Sequence, residues 1–210
     1  MSFGIEIVNT SGSIIISETF SNFHLTQSGS VDGSGTIPTP GAGQLLFVRP
    51  AIIGATLYPS TAGGASIRAT SGNVEYVMMQ VNAAPDPAET HGMRVYRADG
   101  TIAYDSSQRS LLPVAVYRMA NPDSNSSSTI SLPAVDIGKT RYLNSSVIRR
   151  AGITDAIQPG IARWRNAFAT WNSDTSLVIG ASTLYANSGA PAGDSSQSFG
   201  GTLIFSFADI

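Results

Sequence analysis

The feature that most constrains the fold of this chain is a short segment that occurs twice. The sequence FGIEIVNTSGSIIISE, residues 3–18, aligns without a gap with HGMRVYRADGTIAYDS, residues 91–106. Internal repeats indicate duplicated structural units, so a second unit is predicted to begin near residue 91. The coinciding positions include Gly4 with Gly92, Ile5 with Met93, Ile7 with Val95, Gly12 with Gly100 and Ile14 with Ile102.

Each copy has the pattern of a β-hairpin. Apolar and polar residues alternate on the approach to the turn, and this period of two is typical of a strand with one buried face. A Ser-Gly dipeptide in the first copy and an Asp-Gly dipeptide in the second supply the positive φ that tight hairpin turns need. We therefore assign a structural role in the turns to Ser11, Gly12, Asp99 and Gly100.

Composition and the repeat together predict an all-β protein made of two tandem β-sandwich-like units. Charged residues make up 12% of the 210 residues, about half of the roughly 25% found in typical domains. The first unit is predicted to span residues 1–82 and the second residues 91–210. Residues 83–90 contain two prolines, which block helix and central-strand pairing, and are predicted to be a linker. The alternative is a loop within one larger sheet.

Further strands and one helix are expected inside these units. Residues 44–58 predict two buried strands broken at Pro50, and residues 110–120 predict a strand with Pro113 at its start or at a sheet edge. Apolar residues near 160–171 recur at helical spacing, which predicts at most one short helix covering one end of the sandwich. These apolar residues are Ile161, Trp164, Phe168 and Trp171.

Charge and cysteine content exclude several classes of function. The net charge of −2 provides no field that would attract nucleic acid, so no nucleic-acid partner is expected. The absence of cysteine excludes disulfides and thiolate metal sites. No apolar run approaches the ~20 residues that span a bilayer, and no secretory signal is visible, so membrane insertion is not expected.

The sequence offers no catalytic, cofactor or metal site. His24 and His91 are the only histidines, and neither stands in a metal-ligating context. Asp99 and Asp105 flank the second turn as a glycosidase pair could, but turn formation already explains Asp99. The protein is therefore predicted not to be an enzyme.

One group of aromatic and basic residues is a candidate for partner or glycan contact. Trp164 and Trp171 are flanked by Arg163 and Arg165, and both residue types anchor many interfaces. The alternative is that both tryptophans belong to the core, which their spacing also favours. Basic residues are frequent in this part of the chain, where a solvated face or intramolecular pairing is favoured over an acidic partner surface. They are Lys139, Arg141, Arg149, Arg150, Arg163 and Arg165.

The two hairpin segments resemble the N-terminal hairpin of small tail-tip and fibre proteins of long-tailed bacteriophages. Those proteins open with glycine, an alternating strand, a residue-plus-glycine turn and an apolar strand that ends in Asp-Ser. Residues 104–106, Tyr-Asp-Ser, match that ending, whereas residues 16–18, Ile-Ser-Glu, depart from it. The resemblance covers residues 3–18 and 91–106 only.

This resemblance implies a structural component of a virion tail, at the tail tip or fibre, that is assembled in the host bacterial cytoplasm. It implies a β-rich homo-oligomer, often a trimer, without a cofactor, whose partners are other tail proteins and a host surface glycan or pilus. Residues 1–82 would dock on the tail, and residues 91–210 would present loops 121–131 and 187–201 outward. The alternatives are a stand-alone carbohydrate-binding or adhesin-like β-sandwich and a capsid decoration protein.

Overall fold

The computed structural model of the chain consists of antiparallel β-sheets, which confirms the predicted all-β class. It describes residues 6–8, 14–17, 23–32, 36–59, 67–81, 93–106, 111–120, 126–135, 137–148, 150–154, 162–186 and 202–210. The strands are β1 Glu6–Val8, β2 Ile14–Ser17, β3 Phe23–Val31, β4 Gln44–Pro50, β5 Thr56–Pro59, β6 Ile67–Ala69, β7 Val74–Val81, β8 Arg94–Tyr96, β9 Ile102–Asp105, β10 Leu112–Ala120, β11 Ser126–Ser131, β12 Arg141–Asn144, β13 Arg150–Thr154, β14 Ala162–Ser173, β15 Ser176–Ala186 and β16 Thr202–Asp209. The only helical element in these ranges is a 3-10 turn at Ser145–Val147.

Two large sheets form a sandwich. The first, called sheet I, has the strand order β10-β16-β12-β4-β7-β3. The second, called sheet II, has the order β11-β15-β14-β5-β6, and β13 also pairs with β14. The chain passes from sheet I to sheet II directly after Pro50, as the break predicted there indicates.

The main core lies between the two sheets. Side chains alternate between the two faces of a strand, so Leu46 and Val48 of β4 both point into this core. Their partners in β7, Met78 and Tyr76, point into the same core. Sheet II contributes Trp171, Leu177 and Ile179, none of which has measurable exposure. Burial of a side chain of this size contributes about 1.5–3 kcal/mol, so this layer stabilises the contact between the two sheets.

Sheet I also buries apolar residues on its other face. Phe47, Val77 and Met79 point away from sheet II and form a second buried cluster. The backbone N–H of Leu111, beside the start of β10, donates to the carbonyl of Phe23 at the start of β3, at 3.1 Å. These positions belong to diagonally opposite corners of the sheet, so the sheet curls over this second cluster, as strongly twisted sheets can.

The predicted division into two tandem units requires a correction. Both large sheets contain strands from each side of residues 83–90: β3, β4 and β7 lie beside β10, β12 and β16 in sheet I. The segment 83–90 itself lies outside the described residues. Long-range pairing has joined the two halves into shared sheets.

The predicted helix near residues 160–171 is also wrong. Ala162–Ser173 form the long strand β14, which pairs with β15 along its length and with β13 and β5 on its other side. Ala167, Ala169 and Trp171 alternate into the core at strand spacing, and of these three only Trp171 belongs to the set that predicted the helix. Pairing on both sides satisfies the backbone of β14, and this long-range contribution outweighs the local pattern.

The duplicated hairpin is present in both copies with the same register. β1 pairs with β2 and β8 pairs with β9, and the register shifts at the equivalent place, after Ile7 and after Val95. The equivalent second strands, β2 and β9, are neighbours in space. In the first copy Glu6 pairs with Ser17, Ile7 with Ile16 and Val8 with Ile14. The equivalent pairs in the second copy are Arg94 with Asp105, Val95 with Tyr104 and Tyr96 with Ile102.

Candidate functional site

The second hairpin turn is shaped by Asp99 and Gly100, as predicted. The N–H of Gly100 donates to the carbonyl of Arg97, and Gly100 has a φ of +83°. The Asp99 carboxylate accepts from the backbone N–H of Thr101 at 2.9 Å and from its hydroxyl at 2.7 Å. These bonds lower the pKa of Asp99, because they favour the charged carboxylate. Asp99 is thus a turn residue, whereas Ser11 and Gly12 lie outside the described residues.

A buried carboxylate of this hairpin lies near the edge of sheet I. Arg94 and Asp105 are directly opposite each other, and Nε donates to Oδ2 at 2.8 Å. Asp105 is 2% exposed, and its charge acts on the ring of His24 in β3. His24 is 1% exposed, and neither ring nitrogen has a hydrogen-bond partner among the described residues.

The environment of His24 favours its neutral form. Burial lowers its pKa, because a low dielectric disfavours the imidazolium, and the neighbouring Asp105 opposes this shift only in part. The result is a buried neutral imidazole beside an ion pair at the junction between hairpin and sheet. His24 has a structural position here, and no second histidine or further carboxylate in the described ranges makes the junction a metal site.

The four residues predicted to contact a partner do not form one exposed surface. Trp171 is fully buried in the main core, so the alternative of a core residue holds for this side chain. Trp164 lies in β14 opposite Gly152 of β13, and Arg163 and Arg165 occupy the flanking positions. An odd separation along a strand places positions 164 and 171 on opposite faces. Contact through Trp164 and the two arginines stays a prediction.

A buried ion pair accounts for one member of the basic cluster. The Arg141 guanidinium donates from Nε and Nη2 to the two carboxylate oxygens of Asp209, each at 2.8 Å. Its Nη1 donates to the carbonyls of Pro133 and Asp174. Arg141 therefore ties sheet I to two connections of sheet II, which is the intramolecular pairing favoured from the sequence.

Two exposed apolar side chains lie on neighbouring strands at one edge of sheet I. Val116 of β10 is 63% exposed, and Ile204 of the neighbouring β16 is 49% exposed. Val116 is opposite Ser206 and Arg118 is opposite Ile204, so Val116 and Ile204 are diagonal neighbours on one face. Sequence analysis placed Pro113 at the start or edge of this strand but did not identify the exposed apolar pair.

The described residues contain no group of three or more histidine, aspartate or glutamate side chains placed to bind a metal ion. None of the helical residues in the same ranges forms a segment long and apolar enough to cross a membrane.

Comparisons with family models, curated proteins and solved structures found no match to this chain.

Proposed function

We propose that this chain is a non-enzymatic structural component of a phage virion, located at the tail tip or fibre, where it contributes to tail assembly and host attachment. The observation that carries the proposal is the duplicated hairpin. Both copies resemble the opening hairpin of tail-tip and fibre proteins, and both have the same strand register.

The register supports a structural role for the hairpin in both places. An isolated two-stranded hairpin is marginally stable in water, so each copy needs a surface to pack on. In the second copy Val95, Ala103 and Asp105 are buried, and β9 contacts β2 of the first copy. Docking on the tail is accordingly assigned to the hairpin pair, the element shared with the tail proteins that it resembles.

The sandwich would act as a rigid support for recognition loops. Ala120, at the end of β10, is opposite Thr202, at the start of β16. The segment after Ala120 and the segment before Thr202 are therefore attached at the same end of sheet I. Residues 126–131, predicted as part of a loop, form β11, so only 121–125 and 187–201 are retained as candidates. Loops on a rigid scaffold commonly recognise partners, and an oligomer multiplies weak contacts through effective concentration.

Location on the virion can be tested with one cysteine. The chain contains no cysteine, and Ile137 is fully exposed, so Ile137→Cys creates a single accessible thiol. Particles of the phage that encodes the chain, carrying this variant, are treated with maleimide-gold and imaged. We expect gold at the tail tip or fibre, and none on particles with the unaltered chain.

Each other outcome overturns the proposal. Gold on the head identifies a capsid decoration protein. Purified particles without gold, from a lysate in which the free variant is labelled, show that the chain is not part of the virion. A purified monomer that binds a glycan, with no gold on particles, identifies a stand-alone carbohydrate-binding module.

A further inference from the structure

We propose that the free edge of β10 is a self-association surface, on which a second copy of this chain adds its own β10 in antiparallel orientation. Within the described residues, β10 pairs with β16 on one side and with no strand on the other, although the N–H of Leu111, directly before β10, donates to Phe23 of β3. An unpaired edge presents a row of backbone N–H and C=O groups, and another extended strand satisfies them best.

β10 differs from the edge strands β3, β11 and β6. The exposed positions of β3, at residues 26–30, are polar or glycine, and those of β11 are serine and threonine. The edge strand β6 has only three residues. β10 has nine residues and exposes Val116 at 63% and Tyr117 at 37%, beside the exposed Ile204. Isolated exposed apolar residues are ordinary, but a group of them along a free edge marks an interaction site.

The features that normally prevent an edge strand from pairing with another chain occur only at the beginning of β10. Pro113 lacks an N–H, and the pairing with β16 is irregular between Pro113 and Ala115. Residues 115–120 then continue in regular register with β16. Their one charged residue, Arg118, is the only charge that would oppose pairing along this segment.

The sequence of β10 is compatible with antiparallel pairing to β10 of a second copy. Antiparallel pairing about a two-fold axis places a residue opposite its own equivalent only at the axis. With the axis at Val116, Arg118 lies opposite Val114 of the second copy, and with the axis at Tyr117 it lies opposite Val116. Like charges do not meet in either register, and the exposed apolar residues are buried at the centre. The net charge of −2 gives little long-range repulsion between copies.

This inference concerns the free chain in solution and does not depend on where the protein lies in a virion. A two-fold contact produces a dimer, so a trimer of the kind that the resemblance implies would need a different surface. The gold-labelling experiment and the solution experiment can therefore fail separately.

The test measures the mass of the purified chain by light scattering after size exclusion, over a range of concentrations. We expect a dimer whose mass falls to that of one chain in Val116→Lys, because two lysines then meet near the axis. Thr129→Lys, on the exposed edge of β11, is the matched control and should remain dimeric. Circular dichroism establishes that each variant is folded.

Cross-linking tests the contact without relying on a disruptive variant. In a chain without cysteine, Val116→Cys or Tyr117→Cys should form an intermolecular disulfide under mild oxidation, and the position that reacts identifies the axis. Thr129→Cys should not. A monomer at all concentrations, an oligomer unchanged by Val116→Lys, or equal cross-linking at residues 116, 117 and 129 would each overturn the proposal.

Discussion

Removing Arg141 while keeping Asp209 should be one of the most destabilising single changes available in this protein. Arg141 has no exposed surface, and the Asp209 side chain is 6% exposed. In Arg141→Met the methionine can occupy much of the apolar volume, but the Asp209 carboxylate loses both of its 2.8 Å donors. The variant therefore leaves a buried charge without its counter-ion.

The expected cost follows from that burial. Removing one partner of a buried ion pair destabilises proteins by about 3–5 kcal/mol, because the remaining charge keeps its desolvation penalty. For a chain of this size, a loss of that magnitude lowers the melting temperature by about 6–20 °C. The carbonyls of Pro133 and Asp174 are part-buried and can accept from water, so their loss adds less.

Urea unfolding monitored by tryptophan fluorescence measures this effect. Trp171 is buried in the core, so its fluorescence changes when unfolding exposes it to water. The urea midpoint should fall while the dependence of the unfolding free energy on urea stays the same. Adding Asp209→Leu to the variant removes the unpaired charge and should recover most of the loss.

Arg49→Met is the matched control. Arg49 faces Glu75 at 3.5 Å and Asp174 at 3.8 Å, and these carboxylate side chains are 39% and 46% exposed. Exposed pairs of this kind contribute about 0–1 kcal/mol, so this variant should be nearly neutral. If Arg141→Met and Arg49→Met unfold at the same urea concentration, burial does not set the cost of breaking the Arg141 pair, and the argument fails.

Three further predictions concern a close approach, a buried histidine and a turn. Gly180→Ala should cost about 1–3 kcal/mol in urea unfolding, because its Cβ would lie 2.6 Å from the Ser126 carbonyl oxygen; an unchanged midpoint would contradict that packing. Burial lowers the pKa of His24, so as the pH falls below about 6.5 this imidazole is protonated more readily in the unfolded chain than in the folded one. The stability of the folded protein should therefore decrease as the pH falls below about 6.5. Melting temperatures at pH 5 and 7.5 should differ less in His24→Leu, and an equal difference would refute this. Asp99→Ala removes two hydrogen bonds to Thr101 and should lower the melting temperature slightly, whereas Asp99→Asn, which keeps an acceptor, should lower it less; the reverse order would contradict the turn assignment.

Much of the local structure follows from short stretches of sequence. The alternation and the Asp-Gly turn predicted the second hairpin, and Gly100 adopts the positive φ expected of it. Pro50 ends β4 where predicted. For the candidate surface, Pro113 indicated an edge strand, but the exposure of Val116 depends on which strands become its neighbours.

The β-rich composition, the repeated hairpin and the ends of several strands can be predicted without a structure, because they depend on alternation and turn chemistry within a few residues. The sharing of both sheets by the two halves and the strand at residues 162–173 depend on the tertiary fold, because strands distant in sequence pair with those backbones. The tertiary fold also buries Arg141, whose charge is neutralised by Asp209, 68 residues away. A short stretch of sequence around residues 162–173 or Arg141 does not include the residues that pair with them. These outcomes are therefore set by long-range contacts.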